Sequence, residues 1–154
     1  MIYAAVIDVP IPDVKLGIRH GREGICCIDF LSRETPGLTP QSPMAERAAA
    51  ELTAYFDDPR RPFTVDLELA GSLFQQRVWH TLSLLPAGMT VTYGRLARQL
   101  GTGARAVGAA CRANPVPVIV PCHRVVSSTG LGGYGGEVVG RHLEIKQWLL
   151  QHER

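Results

Sequence analysis

The spacing of apolar residues divides the chain near residue 70. Before that point, residues 2–8, 14–20 and 24–31 are rich in Val and Ile and are interrupted by Pro10, Pro12 and a Gly21–Gly24 turn. This predicts three short strands, with the second and third paired as a hairpin. Gly37 to Pro43 reads as loop. Ser42 then offers an N-cap and Pro43 a first helical position for a helix over 45–56 with Ala48, Leu52, Tyr55 and Phe56 on its apolar side. Asp57-Asp58-Pro59 ends it, and residues 65–69 alternate with period two, as a further strand would.

From Ser72 onward the period is helical. Phe74, Val78, Leu82 and Leu85 share one face of a helix closed by Pro86-Ala87-Gly88, with Trp79 beside the stripe. Thr92 caps a short helix over 93–100 that stops at Gly101, and a second runs from Ala104 to about Ala113. Two short helices joined by a Gly-containing turn form a helix-turn-helix pattern, which any helical hairpin can mimic. A last helix covers Arg141 to His152 with Leu143, Ile145, Trp148, Leu149 and Leu150 apolar. The expected class is α/β in the α+β sense: residues 1–70 a small strand-and-helix domain, residues 71–154 a mostly helical one.

Charge sharpens this division. The chain's net charge of +2 hides a split: residues 1–71 hold seven Lys/Arg against eleven Asp/Glu, and residues 72–154 hold nine against three. No acidic residue lies between Glu68 and Glu137, while Arg77, Arg95, Arg98, Arg105, Arg112 and Arg124 do. A basic half suits a polyanion partner, though a solvated basic face gives the same count. A hydrophobic content of 45% is enough for a core. The first residues have neither a basic leader nor a long apolar segment, so neither secretion nor a membrane partner is expected, and the location is expected to be cytoplasmic. Four cysteines do not make a disulfide scaffold here. Adjacent Cys26 and Cys27 point to opposite faces of a strand, and with His20 they match no zinc spacing, so no metal is expected and core packing is the better reading.

The chemistry concentrates in one stretch, Pro115-Val116-Pro117-Val118-Ile119-Val120-Pro121-Cys122-His123-Arg124-Val125-Val126. Proline before Cys122 holds the backbone extended, which predicts a thiol at a rigid strand end, facing outward beside an imidazole and a guanidinium. Nearby positive charge favours thiolate, the nucleophilic form. The alternative is a structural cysteine buried in an apolar run. Two features lie close by. The helix over 104–113 is walled by Ala104, Ala106, Gly108, Ala109, Ala110 and Ala113, suited to close helix packing or to close approach by a DNA backbone. Ser127 to Gly136 is a glycine-rich loop, better read as a lid than as a phosphate cradle.

Asn114-Pro115-Val116-Pro117 followed by Pro121-Cys122-His123-Arg124-Val125 is similar to the signature of the O6-alkylguanine-DNA alkyltransferases, the methylated-DNA–protein-cysteine methyltransferases. The likeness extends from Gly71-Ser72-Leu73-Phe74-Gln75 to Trp148-Leu149-Leu150-Gln151-His152-Glu153. The resemblance implies a ribonuclease-H-like α/β domain of structural role before residue 71, followed by a DNA-binding and alkyl-acceptor domain. It implies irreversible, single-turnover repair: the alkyl group of O6-alkylguanine in DNA, with O4-alkylthymine a further substrate, passes to Cys122 after the base is flipped out. His123 would take the thiol proton, in the family through a water. Glu153 would hold the imidazole, and Tyr93 would donate to the departing guanine.

The resemblance further implies a minor-groove contact on double-stranded DNA by Thr92, Tyr93, Ala104, Arg105, Ala106, Gly108 and Arg112, with Arg105 filling the gap left by the flipped nucleotide. Asn114 would be a hinge, and Arg124, Val125, Tyr134 and Gly135 would border the pocket, with Arg124 on the strand beside the thiol. Where many members have a serine that bonds the lesion oxygen, this chain has Gly135, so a backbone N–H would have to replace it and groups bulkier than methyl could enter. No cofactor is expected, and a monomer that can cluster on DNA is. Three other classes compete. A lesion-sensing relative would lack Cys122, a Cys–His hydrolase or redox enzyme would show an oxyanion hole or a CxxC, and a plain DNA-binding regulator would not need Pro-Cys-His-Arg.

Overall fold

A computed structural model describes residues 2–133 and 140–154. The chain forms two compact units, Met1–Ala70 and Gly71–Arg154. In the first, β1 (Ala5–Asp8), β2 (Val14–His20) and β3 (Ile25–Ser32) make an antiparallel sheet in that order. The register sets Ile18 between Ala5 and Ile28, and all three are buried. Helix α1 (Pro43–Asp57) starts where Ser42 Oγ accepts from the Ala45 N–H, and Ala45, Ala48, Leu52 and Tyr55 supply its buried face.

The strand expected over 65–69 does not form. Only Leu67 makes an isolated bridge, to Ile25. The N–H groups of Thr64 and Val65 instead donate to the Glu51 carboxylate on α1, at 2.7 and 3.1 Å. A side chain has taken the Val65 donor at the start of the stretch, while Glu68 N–H still donates to Ile25 O at 2.9 Å around the single bridge.

In the second unit, α2 (Leu73–Ser83) is opened by a reciprocal cap, in which Ser72 and Gln75 each bond the other's backbone N–H. Val78, Trp79 and Leu82 are its buried residues. Trp79 lies in the core rather than beside the stripe, and its indole donates to Ala110 O at 2.8 Å. Strand β4 (Val91–Thr92) leads into α3 (Tyr93–Leu100), capped by Thr92 and stopped by Gly101 in the left-handed region at φ 70°. Helix α4 (Ala104–Arg112) follows. The chain then passes through a 3-10 turn at Cys122–Arg124, β5 (Val125–Val126), which pairs parallel with β4, and α5 (Arg141–His152). The fold class is the expected α+β one. No described helix is long and apolar enough to cross a membrane.

Candidate active site

The apolar run before Cys122 does not make the extended strand its composition predicts. Val120 N–H donates back to Val116 O at 3.0 Å, and Val118 sits at φ 75°, a left-handed conformation costly for a β-branched residue. Asn114 holds this turn closed: its Oδ1 accepts from Val116 N–H at 2.9 Å and its Nδ2 donates to Val120 O at 2.8 Å. Prolines at 115, 117 and 121 offer no ladder donors. Cys122 consequently begins a 3-10 turn and is 6% exposed, not outward-facing at a strand end. Its sulfur accepts from Asn114 Nδ2 at 3.2 Å, so one amide both shapes the turn and meets the thiol.

Behind the thiol lies a buried charge network. His123 is fully buried, and its Nε2 lies 2.7 Å from Glu153 Oε2. Arg124 stands on the 3-10 turn, not on a strand. It clasps the same carboxylate with both arms, Nε to Oε1 and Nη2 to Oε2 at 2.8 Å each, and its Nη1 donates to Leu85 O at 2.6 Å. Glu153, which a reading by position alone would leave in solvent, is 6% exposed. Burial lowers the His123 pKa from its ordinary value, against the pull of Glu153. With Arg124 already matching the carboxylate, the imidazole rests neutral, Nε2–H toward Glu153. Its Nδ1 is then a buried acceptor with no hydrogen-bond partner among the described residues. Such an atom is suited to accepting a proton.

Tyr93, at the start of α3, is half-buried, and burial first and the neighbouring Cys111 and Cys122 next push its pKa up to about 12. It is therefore a phenol that can donate. Its hydroxyl donates to Gly133 O at 3.4 Å. Residues 131–133 run against its ring: Gly132 has φ 74°, and a Cβ there would lie 2.8 Å from Tyr93 Cε2.

The basic face of this unit carries an open groove of about 620 Å³, lined by Thr92, Tyr93, Gly94, Arg98, Ala104, Arg105, Gly108, Ser127 and Ser128. Five of the seven residues expected to meet DNA are here, and Ala106 and Arg112 do not line it. Packing does not require the glycine at 108, since an added Cβ would meet only Tyr93 Cε1, at 4.0 Å. The small residues of α4 divide: Ala104 and Gly108 border the groove and Ala109 is exposed, while Ala110 is buried and closes the contact with Trp79 on α2. Val125 is fully buried on β5. Tyr134 and Gly135 lie outside the described residues.

Sequence reasoning passed over Arg98, Ser127, Ser128 and, above all, Lys146, which is fully buried on α5. Lys146 precedes Leu149 by three positions and Glu153 by seven, the spacing of one helix face, and that was the available signal. Among the described residues, no three His, Cys, Asp or Glu side chains are grouped to hold a metal.

A buried thiol, a buried His–Glu–Arg network and an arginine-lined groove on two short helices thus stand in the second unit. The model of the 6-O-methylguanine DNA methyltransferase DNA-binding domain matches residues 73–154, and the chain belongs to this family. A methylated-DNA–protein-cysteine methyltransferase of Mycobacterium leprae is 46% identical over 103 residues, which span 65% of this chain and 62% of that protein. One of the same name from Methanosarcina acetivorans is 35% identical over 160 residues, covering 99% of this chain and 98% of the relative. Among solved structures, Mycobacterium tuberculosis OGT in complex with DNA aligns with TM-score 0.79 at 38% identity, over 96% of this chain and 90% of that one. The O6-methylguanine methyltransferase of the same organism aligns with TM-score 0.77, over 99% and 93%.

Proposed function

We propose that this chain repairs alkylated DNA by direct reversal, accepting the alkyl group of O6-alkylguanine on Cys122. The observation that carries the reading is the buried His123–Glu153–Arg124 network beside a thiol that Asn114 contacts. At rest the network holds a neutral imidazole and a matched ion pair. A proton passing from Cys122 to His123 Nδ1 leaves one net positive charge opposite the thiolate, and Glu153 stabilises the imidazolium. The sulfur then attacks the alkyl carbon, the carbon–O6 bond breaks, and the guanine takes a proton from Tyr93 at its departure, the phenol being restored by the proton that left Cys122. Sulfur gains one alkyl group and the base returns to guanine, so no co-reactant enters the balance. A thioether is a poor leaving group, and the reaction ends after one turnover.

The thiol of a residue that is only 6% exposed cannot reach a stacked base, so the base has to come to it. The groove on α3 and α4 is the surface we assign to duplex DNA in its minor groove, with Arg105 entering the stack. Residues 1–70 carry a structural role in this reading. With DNA as its substrate, the protein works in the cytoplasm beside the chromosome.

The test is intact-protein mass after incubation with a duplex containing O6-methylguanine, beside a Cys122→Ala control. One added methylene per chain, absent from the control, is expected. Tight lesion binding without an adduct would make the chain a lesion sensor instead, and neither adduct nor binding would remove the reading altogether.

A further inference from the structure

Lys146 is the one fully buried amine among the described residues, and its hydrogen bonds run to the loop beside Tyr93. Its Nζ donates to Val125 O at 2.7 Å, Leu131 O at 2.5 Å and Gly133 O at 2.9 Å. An ammonium has three protons, and three carbonyls take them. Two of these carbonyls flank Gly132, the residue whose missing Cβ lets the loop press on the Tyr93 ring. Nζ itself lies 5.9 Å from the centre of that ring. The Gly133 carbonyl is shared: Lys146 makes a short, charge-assisted bond to it, while the Tyr93 hydroxyl reaches it only at 3.4 Å.

We propose that Lys146 is a positioning residue for alkyl transfer, fastening residues 131–133 against Tyr93 so that the phenol is aimed but its proton is not committed to Gly133. The proposal rests on the alkyl-transfer reading above and adds a residue that acts through Tyr93, not on the lesion itself. Without the ammonium, Gly133 becomes an acceptor for the phenol alone, and residues 131–133 lose both of their anchors, at Leu131 and Gly133, together with the tie to Val125 on β5. In either case the departing guanine loses its donor. The assignment also accounts for a lysine on the apolar face of α5, where desolvation alone would exclude one.

The experiment is a double-variant cycle on single-turnover methyl transfer from the methylated duplex, with wild type, Lys146→Met, Tyr93→Phe and the pair. Each single change is expected to slow transfer about 10- to 100-fold, the range for loss of a positioned proton donor. Added to Tyr93→Phe, Lys146→Met should cost no more than about 3-fold further, because the two act as one unit. Binding of the lesion duplex by Lys146→Met in a Cys122→Ala background should stay within about 3-fold of that of the parent, since Lys146 itself does not line the groove. Lys146→Gln, which keeps amide donors without the charge, is carried through the same cycle so that a Met variant that fails to fold still leaves a cycle to read.

Full multiplicativity of the two changes, or a Lys146→Met protein that transfers at the wild-type rate, overturns the proposal while the wild-type adduct stands. A wild type that gains no methylene overturns the alkyl-transfer reading itself.

Discussion

Cys27 and Cys122 both have polar partners on sulfur, and the difference between those partners bears on the proposal that Cys122 is the alkyl acceptor. On the sheet of the first unit, Arg19 Nη2 lies 2.9 Å from Cys27 Sγ, and Cys27 donates in turn to Asp29 Oδ1 at 3.3 Å. Tyr3 bonds the other Asp29 oxygen, and Arg19 lies over the Tyr3 ring. A guanidinium touching sulfur looks like activation, yet the Cys27 pKa is raised. Burial is the largest cause, Arg19 opposes it, and Asp29 adds to it by holding the thiol proton. Cys122 has the reverse arrangement. A neutral amide meets its sulfur, and Arg124, two positions on in sequence, directs its hydrogen bonds to Glu153 and Leu85. A cation next to sulfur is thus no mark of a nucleophile. What distinguishes Cys122 is a buried base whose partner carboxylate is already matched and whose other nitrogen is open.

The largest effect expected of that arrangement comes from removing the carboxylate charge. Glu153→Gln should slow methyl transfer about 100-fold, the scale of a lost orienting group for a general base. It should also lower stability by about 3 kcal/mol, because Arg124 is left buried without its counter-charge. Single-turnover rates and a urea titration measure the two. A Glu153→Gln protein that transfers within about 3-fold of wild type would mean that the network is structural and the comparison with Cys27 misdrawn.

Resting neutrality of His123 can be tested next, through stability against pH. Its folded pKa lies below the unfolded value of about 6.5, so as pH falls through that value the unfolded chain gains a proton that the folded one does not. Stability is therefore lost on acidification. Between pH 7.5 and 5.5 the loss from this group reaches up to about 1.4 kcal/mol. Urea midpoints for wild type and His123→Gln at both pH values isolate it, since the remaining groups cancel in the difference. Equal slopes would show that folding leaves the His123 pKa unshifted, and a wild type that gains stability on acidification relative to His123→Gln would show that the imidazole is charged at rest.

These features were unequally legible in the sequence. Caps announce themselves locally, so Ser42, Ser72, Thr92 and Gly101 placed α1, α2 and α3 from a few residues each. Cys122 and His123 stood out from their own stretch, with the thiol's setting misjudged, whereas Glu153 and Tyr93 were singled out by resemblance alone. The β-branched run before Cys122 has strand composition, and nothing local says that Asn114, through its side chain, will close it into a turn. The stretch over 65–69 alternates properly but gives its Val65 donor to Glu51 and keeps only the one bridge at Leu67. Lys146 was passed over because long cations are normally assigned to solvent. Its three carbonyls come from residues 125, 131 and 133, which only the fold brings to it.

The smallest effect belongs to the inert thiol. If Asp29 is what holds the Cys27 proton, Asp29→Asn removes a charge that disfavours thiolate while Arg19 stays in contact. Carboxamidomethylation of Cys27 by iodoacetamide at pH 7.5, followed by peptide mass, should then run about 3-fold faster, as expected for a shift of about half a pKa unit. Methyl transfer to Cys122 should be unchanged in the same protein, and in Cys27→Ala. An unchanged Cys27 rate would mean that burial, not the carboxylate, keeps this thiol protonated. A slowed transfer at Cys122 would mean that the two thiols are not separate systems, and the contrast between their surroundings could no longer be used to explain why one of them reacts.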